Sequence, residues 1–485
     1  MKKKILSIAT GLLVFLGACD FSDFDDTNVS PTQLPAVSTG ALLTFAEQAI
    51  SYTTFNGPAR QTPTEGPSST AGYANAYFPL YAQYLAEGPY PSAQNYSTRN
   101  VSWTEWYRGP LSNLQAIIDY NNEGNPAADL AYGSKNNQIA VARILKAYYF
   151  WYLTDIYGDI PYFEALKGFE VKMPKYDKQQ DIYNDLFKEM TEAQAMINES
   201  EAPVTGDVLL NGDMAAWKRF ANTARMFMAL RLVDVDKAKA TTEFQAAMAA
   251  GAITSNAQNI IYEFIGTDPN NWNPWYENYT NDNRNDYALS NTIVNNMQGD
   301  PRLQVYGESI NGRIIGLEYG TTAARNIPSA YSRLSQTFQG ADAVAPIFTY
   351  PQVLFARAEM ANRGIIAESA ATLYEQAITA SAEYYEVGAI PHDAYAGNNV
   401  QGLEQIITQK WKHQFLNGFE SWTDWRRTGY PSFLKPGPGS LEAQGIPLRH
   451  SYPANARSIN QANYDAVIAR QGADTNYTRV WWDVK

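Results

Sequence analysis

The stretch from Asn137 to Tyr157 constrains this chain more than any other part of it. Val141, Leu145, Tyr148, Tyr152 and Ile156 recur at helical spacing on one face, while Ile144, Ala147 and Trp151 occupy another. A surface helix shows one apolar stripe, so a helix that is apolar nearly all round has to lie between layers of other structure. Its predicted end is Tyr157-Gly158-Asp159-Ile160-Pro161, where glycine permits a left-handed cap and proline forbids continuation.

Helical periodicity recurs along the chain. Residues 36–51, 71–87 and 103–122 read as helices, each with apolar residues three and four apart. A stripe of Ile182, Leu186, Met190, Ala193 and Ile197 marks another, from Asp177 or Lys178 to about Asn198. Asp213 can cap a helix carrying Trp217, Phe220, Ala221, Ala224, Met228 and Leu232, and a further pair spans 350–363 and 367–386. Helix pairs separated by short polar turns suggest a solenoid of tetratricopeptide type. Ala371 to Ile378 has the small-then-aromatic spacing of that repeat's second helix. The fold expected is mainly α: four tetratricopeptide-like helix pairs supporting long ordered loops. Those loops fall at 52–70, 88–102, 265–345 and 391–485, and they are rich in aromatics. With 33 Tyr, 20 Phe and 11 Trp in the chain, order is expected in them rather than disorder.

The first residues read as an export signal. Lys2, Lys3 and Lys4 precede an apolar run from Ile5 to Leu16, too short to cross roughly 30 Å of hydrocarbon. Leu16-Gly17-Ala18-Cys19 resembles the bacterial lipobox, and Cys19 is the one cysteine of 485 residues. Residues 1–18 are therefore expected to be a lipoprotein signal peptide and Cys19 the lipidated first residue of the mature chain. Each buried methylene of the acyl chains would contribute about 0.8 kcal/mol of membrane attachment. Asp20, Asp23, Asp25 and Asp26 make residues 19–35 an acidic tether, leaving residues 36–485 as one α-helical domain with irregular insertions at about 265–345 and 391–485. A net charge of −12 argues against nucleic acid. With its cysteine acylated, the chain has no thiol for a disulfide framework or a thiolate zinc site.

Little in the chain suggests covalent chemistry. His392, His413 and His450 are far apart and belong to no metal-binding pattern, and there is no Gly-x-Ser-x-Gly elbow. The run Asn281 to Asp286 offers oxygen ligands for calcium but lacks the spaced acids and central glycine of an EF-hand loop. No cofactor is expected. Sugar capture, by contrast, needs flat apolar faces flanked by amides, carboxylates and arginine. Asn270 to Tyr279 supplies that mixture, and Trp272, Trp275, Tyr276 and Tyr279 are its candidate ligand contacts. The other reading of Pro274-Trp275-Tyr276 is an anchor that ties the loop to the core.

The run from Val141 to Phe150, continued through Leu153-Thr154-Asp155-Ile156-Tyr157-Gly158-Asp159-Ile160-Pro161-Tyr162, resembles the signature helix of the SusD/RagB family. Further blocks follow in that family's order: Gly212-Asp213 to Trp217-Lys218-Arg219-Phe220-Ala221-Asn222, Asp300-Pro301-Arg302-Leu303, and Tyr350-Pro351-Gln352 to Glu359. The last are Asn417-Gly418-Phe419-Glu420 with Trp422 to Pro431, and Val480-Trp481-Trp482-Asp483. The resemblance implies an outer-membrane lipoprotein facing outward that binds oligosaccharide or peptide without catalysis. It also implies a partner, a TonB-dependent barrel of the SusC/RagA type, over which such proteins act as a hinged lid. By position alone it adds the segment of Tyr90, Asn95, Tyr96, Arg99, Asn100 and Trp103 to the candidate contacts. The arginines of the Trp422–Arg427 block are expected to pair with Asp424 or Glu420 and fix a corner. The rival reading is a lipid-anchored, all-helical glycoside hydrolase.

Overall fold

The computed structural model describes residues 38–55, 76–97, 101–123, 130–441 and 445–485. The expected signal peptide, Cys19 and the acidic tether lie outside them, as do Arg99 and Asn100. Thr39–Lys485 forms one compact unit. Its longer helices are α1 (Thr39–Gln48), α2 (Ser112–Glu123), α3 (Lys135–Tyr157), α4 (Gln179–Met196), α5 (Met214–Arg231), α6 (Lys237–Gly251), α7 (Tyr350–Asn362), α8 (Ala370–Tyr384), α9 (Val400–His413), α10 (Gly418–Thr428) and α11 (Gln461–Gln471). Side-chain caps start many of them: Ser134 accepts from the Asn137 N–H at α3, Asp213 from Ala216 at α5 and Asp236 from Lys239 at α6.

Helix α3 is buried on every side, as its composition requires. It packs against α2, α4 and α5, while α5 pairs with α6 and α7 with α8. Its half-buried Arg143 ties it to α4 through Glu189 (2.8 Å) and Glu192 (2.7 Å). It ends at Gly158 with φ +81°, where a Cβ would stand 2.2 Å from the Gln471 side chain of α11. Glycine is thus required twice, by conformation and by close approach.

Three expectations need correction. The helix expected over 103–122 is broken: residues 104–106 are helical, 107–111 form a π-helical turn, and α2 follows. Pro110 is the cause, since it has no N–H for the ladder and its ring crowds the preceding turn. The helix expected over 71–87 survives only at Tyr77–Tyr81; residues 71–75 are outside the described set and Leu85–Glu87 forms strand β1. The C-terminal stretch from 391 is no irregular loop but carries α9, α10 and α11. Helix α6 was not legible either, because its buried face is only Ala240, Phe244 and Ala247.

The other strands are β2 (Ile160–Pro161), β3 (Tyr176–Asp177), β4 (Ile260–Glu263), β5 (Tyr287–Leu289) and β6 (Val344–Phe348), pairing antiparallel as β1–β5, β2–β3 and β4–β6.

A charged junction lies inside the helical layers. Arg231 of α5 reaches Asp155 of α3 (3.2 Å) and Glu420 of α10 (2.5 Å). Arg427 of α10 holds Glu359 of α7 (2.5 Å) and Asp424 (2.8 Å), and Lys410 of α9 also reaches Asp424 (2.8 Å). Arg426 lies 3.5 Å from the Trp422 ring centroid and 4.6 Å from that of Trp482, and it donates to the carbonyls of Asp155 and Leu448. The expected pairing of Arg427 with Asp424 is present, whereas Glu420 is taken by Arg231 from a different helix.

Candidate ligand-binding surface

Strand pairing decides which loops meet. In the β1–β5 pair Leu85 faces Leu289, Ala86 faces Ala288 and Glu87 faces Tyr287. The chain leaving β1 and the chain entering β5 therefore emerge side by side, and the Gly88 N–H donates to Asp286 O at 3.0 Å. A third strand of loop crosses here. A Cβ on Gly88 would stand 2.4 Å from the Ile327 side chain and 2.7 Å from Arg325 O.

The 88–97 segment is held from below. The buried Glu87 carboxylate accepts from the backbone N–H groups of Ala93 (3.2 Å) and Gln94 (3.0 Å), and the Gln94 side chain bonds back to both backbone groups of Glu87. Asn95 donates to Thr321 O at 2.9 Å. Tyr96 points inward, fully buried against Tyr81 and 3.1 Å from the Tyr319 hydroxyl. Burial pushes its phenol up to about 12 against the hydrogen bonds of Tyr319 and Gln83, so it is a neutral core group. Tyr90, in contrast, is 60% exposed.

The 265–290 segment sorts its aromatics in the same way. Asn273 donates to Phe338 O (2.7 Å) and Gly340 O (2.9 Å) and accepts from the Trp275 N–H, starting the short helix Pro274–Tyr276, which runs into a π-helical turn over Glu277–Asn281. Trp275 is 0% exposed and packs on Tyr279 and Tyr287. Tyr279 is buried and donates to Tyr287 O at 3.0 Å. Both are anchors rather than open stacking faces. Trp272 and Tyr276 stay half-buried, edge to face at 5.2 Å. The Trp272 indole N–H is spent on Gly266 O (2.8 Å), and the hollow beside the ring holds about 60 Å³, too little for a sugar.

Past the turn, Arg284 places its guanidinium 5.5 Å from the Tyr90 ring centroid. Its Nε donates to Asp286 at 2.6 Å, a hydrogen bond that raises its pKa further against partial burial. The surface is therefore an open phenol ring on a backbone segment tied from below, beside a guanidinium whose one side-chain hydrogen bond among the described residues goes to Asp286, with the exposed Asn281 and Asn283 just before Arg284 in the chain. With Arg284 on Asp286, that carboxylate is already neutralised. Among the described residues no group of three or more His, Cys, Asp or Glu is placed to hold a metal ion.

Residues 31–453 match the family model described as starch-binding and associating with the outer membrane, that of the SusD-like proteins. The chain belongs to the SusD-like family. Solved structures agree in fold. A chitin-binding protein is 26% identical, with 92% of this chain and 100% of that one covered and a TM-score of 0.74. A Bacteroidetes SusD-like protein is 24% identical over 93% and 100%, at 0.76. A chitin-binding SusD homologue from Flavobacterium johnsoniae is 23% identical over 92% and 99%, at 0.73. No curated protein sequence matches the chain.

In this SusD-like chain the β1–β5 pairing brings Tyr90, from one of the two segments singled out in the sequence, beside Arg284, which lies outside the other, Asn270 to Tyr279. Trp103 lies away from Tyr90, in a cleft of its own with Tyr107 and Leu166. Arg284 was not among the candidates because it stands in a polar run that reads as a solvated turn; the signal available for its place beside Tyr90 was its position three residues before β5. The histidines scatter. His413 is buried between the Thr349 and Ser381 hydroxyls, His392 meets Glu375 at 2.8 Å, and His450 sits in an aromatic cage of Tyr77, Phe78, Tyr81 and Trp422.

Proposed function

We propose that this SusD-like protein is a non-catalytic, lipid-anchored lipoprotein on the outer face of the outer membrane. It captures neutral oligosaccharide at the Tyr90–Arg284 surface and delivers it, as a lid, to a TonB-dependent barrel of the SusC/RagA type. The observation that carries the binding part is the exposed Tyr90 ring with the Arg284 guanidinium beside it, fixed by the β1–β5 pairing. A sugar offers a C–H face to such a ring and hydroxyls to the guanidinium and amides, with binding weak enough to permit release. The description of the family as starch-binding and of its structural relatives as chitin-binding supports a glycan over a peptide.

The carboxylates at this surface favour binding over hydrolysis. A glycosidase needs two carboxyl groups flanking an open site. Here Asp286 is held by Arg284, and Glu87 is buried and accepts two backbone N–H groups. The anchor rests on the lipobox-like Leu16–Cys19, and labelled palmitate incorporated by wild type but lost in Cys19→Ala would bear it out.

The decisive experiment titrates soluble residues 20–485 with malto-oligosaccharides, chito-oligosaccharides and oligopeptides, with product analysis alongside. Saturable glycan binding without cleavage, weakened in Tyr90→Ala by about 1–3 kcal/mol, is the expected outcome. Released product, or binding of peptides alone, would overturn it.

A further inference from the structure

A second aromatic cleft lies between the chain at residues 103–112 and the loop that joins β2 to β3. It encloses about 490 Å³, within the range of small-ligand sites. Its back is Trp103, half-buried and wedged among the rings of Tyr107, Tyr157, Tyr176 and Tyr452 at centroid distances of 5.1–5.9 Å. Tyr107 is itself fixed by a 2.6 Å hydrogen bond to Pro161 O. An indole held on four sides and open on one loses no rotamer freedom when a ligand lands on it.

The rim is charged and already ordered. Arg108 is oriented by Glu105 (2.8 Å). Glu164 accepts from the Lys175 N–H at 2.9 Å, with the Lys175 ammonium at 3.4 Å, and the backbone bond and ammonium keep its carboxyl below the usual range. Lys167 completes the lining. The outer wall is the β2–β3 loop, whose base is clamped by Asp177 accepting from the N–H groups of Tyr162 (3.0 Å) and Phe163 (2.8 Å). That loop displays Phe163 (46% exposed), Phe169 (92%) and Met173 (61%) to solvent. None of the three lines the cleft, but large apolar side chains left exposed on the loop that walls it mark a contact surface.

We infer that this cleft is a second carbohydrate site, taking a sugar ring against Trp103 with its hydroxyls on Glu164 and Arg108. An apolar solute would have to desolvate a charged rim on which Arg108 is already paired with Glu105 and Glu164 with Lys175. A neutral ring with an apolar face and a hydroxylated edge satisfies both parts. Two separate sites on one chain would let it hold a long polymer at two points, raising avidity without a tighter single site. The inference rests on the carbohydrate reading above.

The test is calorimetric titration of residues 20–485 with chitotetraose N-acetylated on every ring and with maltotetraose, in wild type, Tyr90→Ala, Val171→Trp and the double variant. Val171 lines the cleft, so the indole fills it while Trp103 and its packing stay. Wild type is expected to bind two molecules per chain, Tyr90→Ala one, and the double variant none. Val171→Trp should weaken the cleft site at least tenfold, with no change in melting temperature. Stoichiometry of one, lost in Tyr90→Ala and unchanged in Val171→Trp, would overturn the cleft while leaving the first site standing. Absence of wild-type binding to both sugars would overturn both readings.

Discussion

Arg426 and Arg284 each lie over an aromatic ring, and they illustrate opposite uses of one interaction. Arg426 is sealed between Trp422 and Trp482, donating to backbone carbonyls of α3 and of the chain near Leu448. Arg284 lies over Tyr90 at the surface, with one neighbouring carboxylate. The first pair is desolvated, so every donor lost there leaves a buried group unsatisfied. The second is solvated, so a ligand there would displace water rather than break buried bonds. What distinguishes the structural arginine from the one proposed to bind is the number of elements that converge on it, not the residue type beside it.

The largest effects should come from the interior. Arg427→Met removes one of the two arginines on Glu359 of α7 and leaves that buried carboxylate with Arg363 alone (2.9 Å), which should cost about 3 kcal/mol in urea unfolding. The same pair has a pH signature. Burial alone would raise the Glu359 pKa, but Arg427 and Arg363 hold it at about 2, below the unfolded value of roughly 4.3. Its contribution is therefore complete above that value and is lost as pH falls toward 2. A variant lacking Arg427 keeps Arg363 on Glu359, so its acid transition should weaken rather than vanish.

Trp275→Ala is of similar size. As a fully buried anchor its truncation should cost about 3–5 kcal/mol, with oligosaccharide affinity of the folded protein unchanged; lost affinity at intact stability would return Trp275 to the binding surface. His450 follows. Its ring is buried with neither nitrogen hydrogen-bonded among the described residues, and burial, then Arg426 and Arg449, holds it down at about 3. The unfolded chain binds a proton near pH 6.5 that the folded chain refuses, so stability should fall by up to about 1.4 kcal/mol per pH unit from 6.5 toward 3. His450→Phe should flatten that slope. Smallest in stability is Arg284→Ala, expected within about 0.5 kcal/mol of wild type, while weakening glycan binding about tenfold. A large loss of stability there would make Arg284 as structural as Arg426 and erase the contrast.

Some of this was legible from residues alone, and the reason is locality. The burial of α3 follows from apolar residues on all its faces, and the cap at Asp213 follows from a side chain three residues from the N–H group it satisfies. The break at Pro110 was equally local and could have been read from the missing N–H. Helix α10 was not: pairing of its arginines with Asp424 or Glu420 could be expected, but the partners that bury Glu420, Asp424, Arg426 and Arg427 arrive from α3, α5, α7 and α9.

The candidate surface divides along the same line. That aromatic loops near 90 and 275 would be ordered and would matter could be argued from composition and spacing, and family membership from the order of blocks along the chain. Which ring faces water could not. Tyr90 is open and Trp275 closed because β1 pairs with β5 across some 200 residues of intervening chain. A side chain's exposure is set by what long-range pairing stacks on it, and no local pattern carries that information.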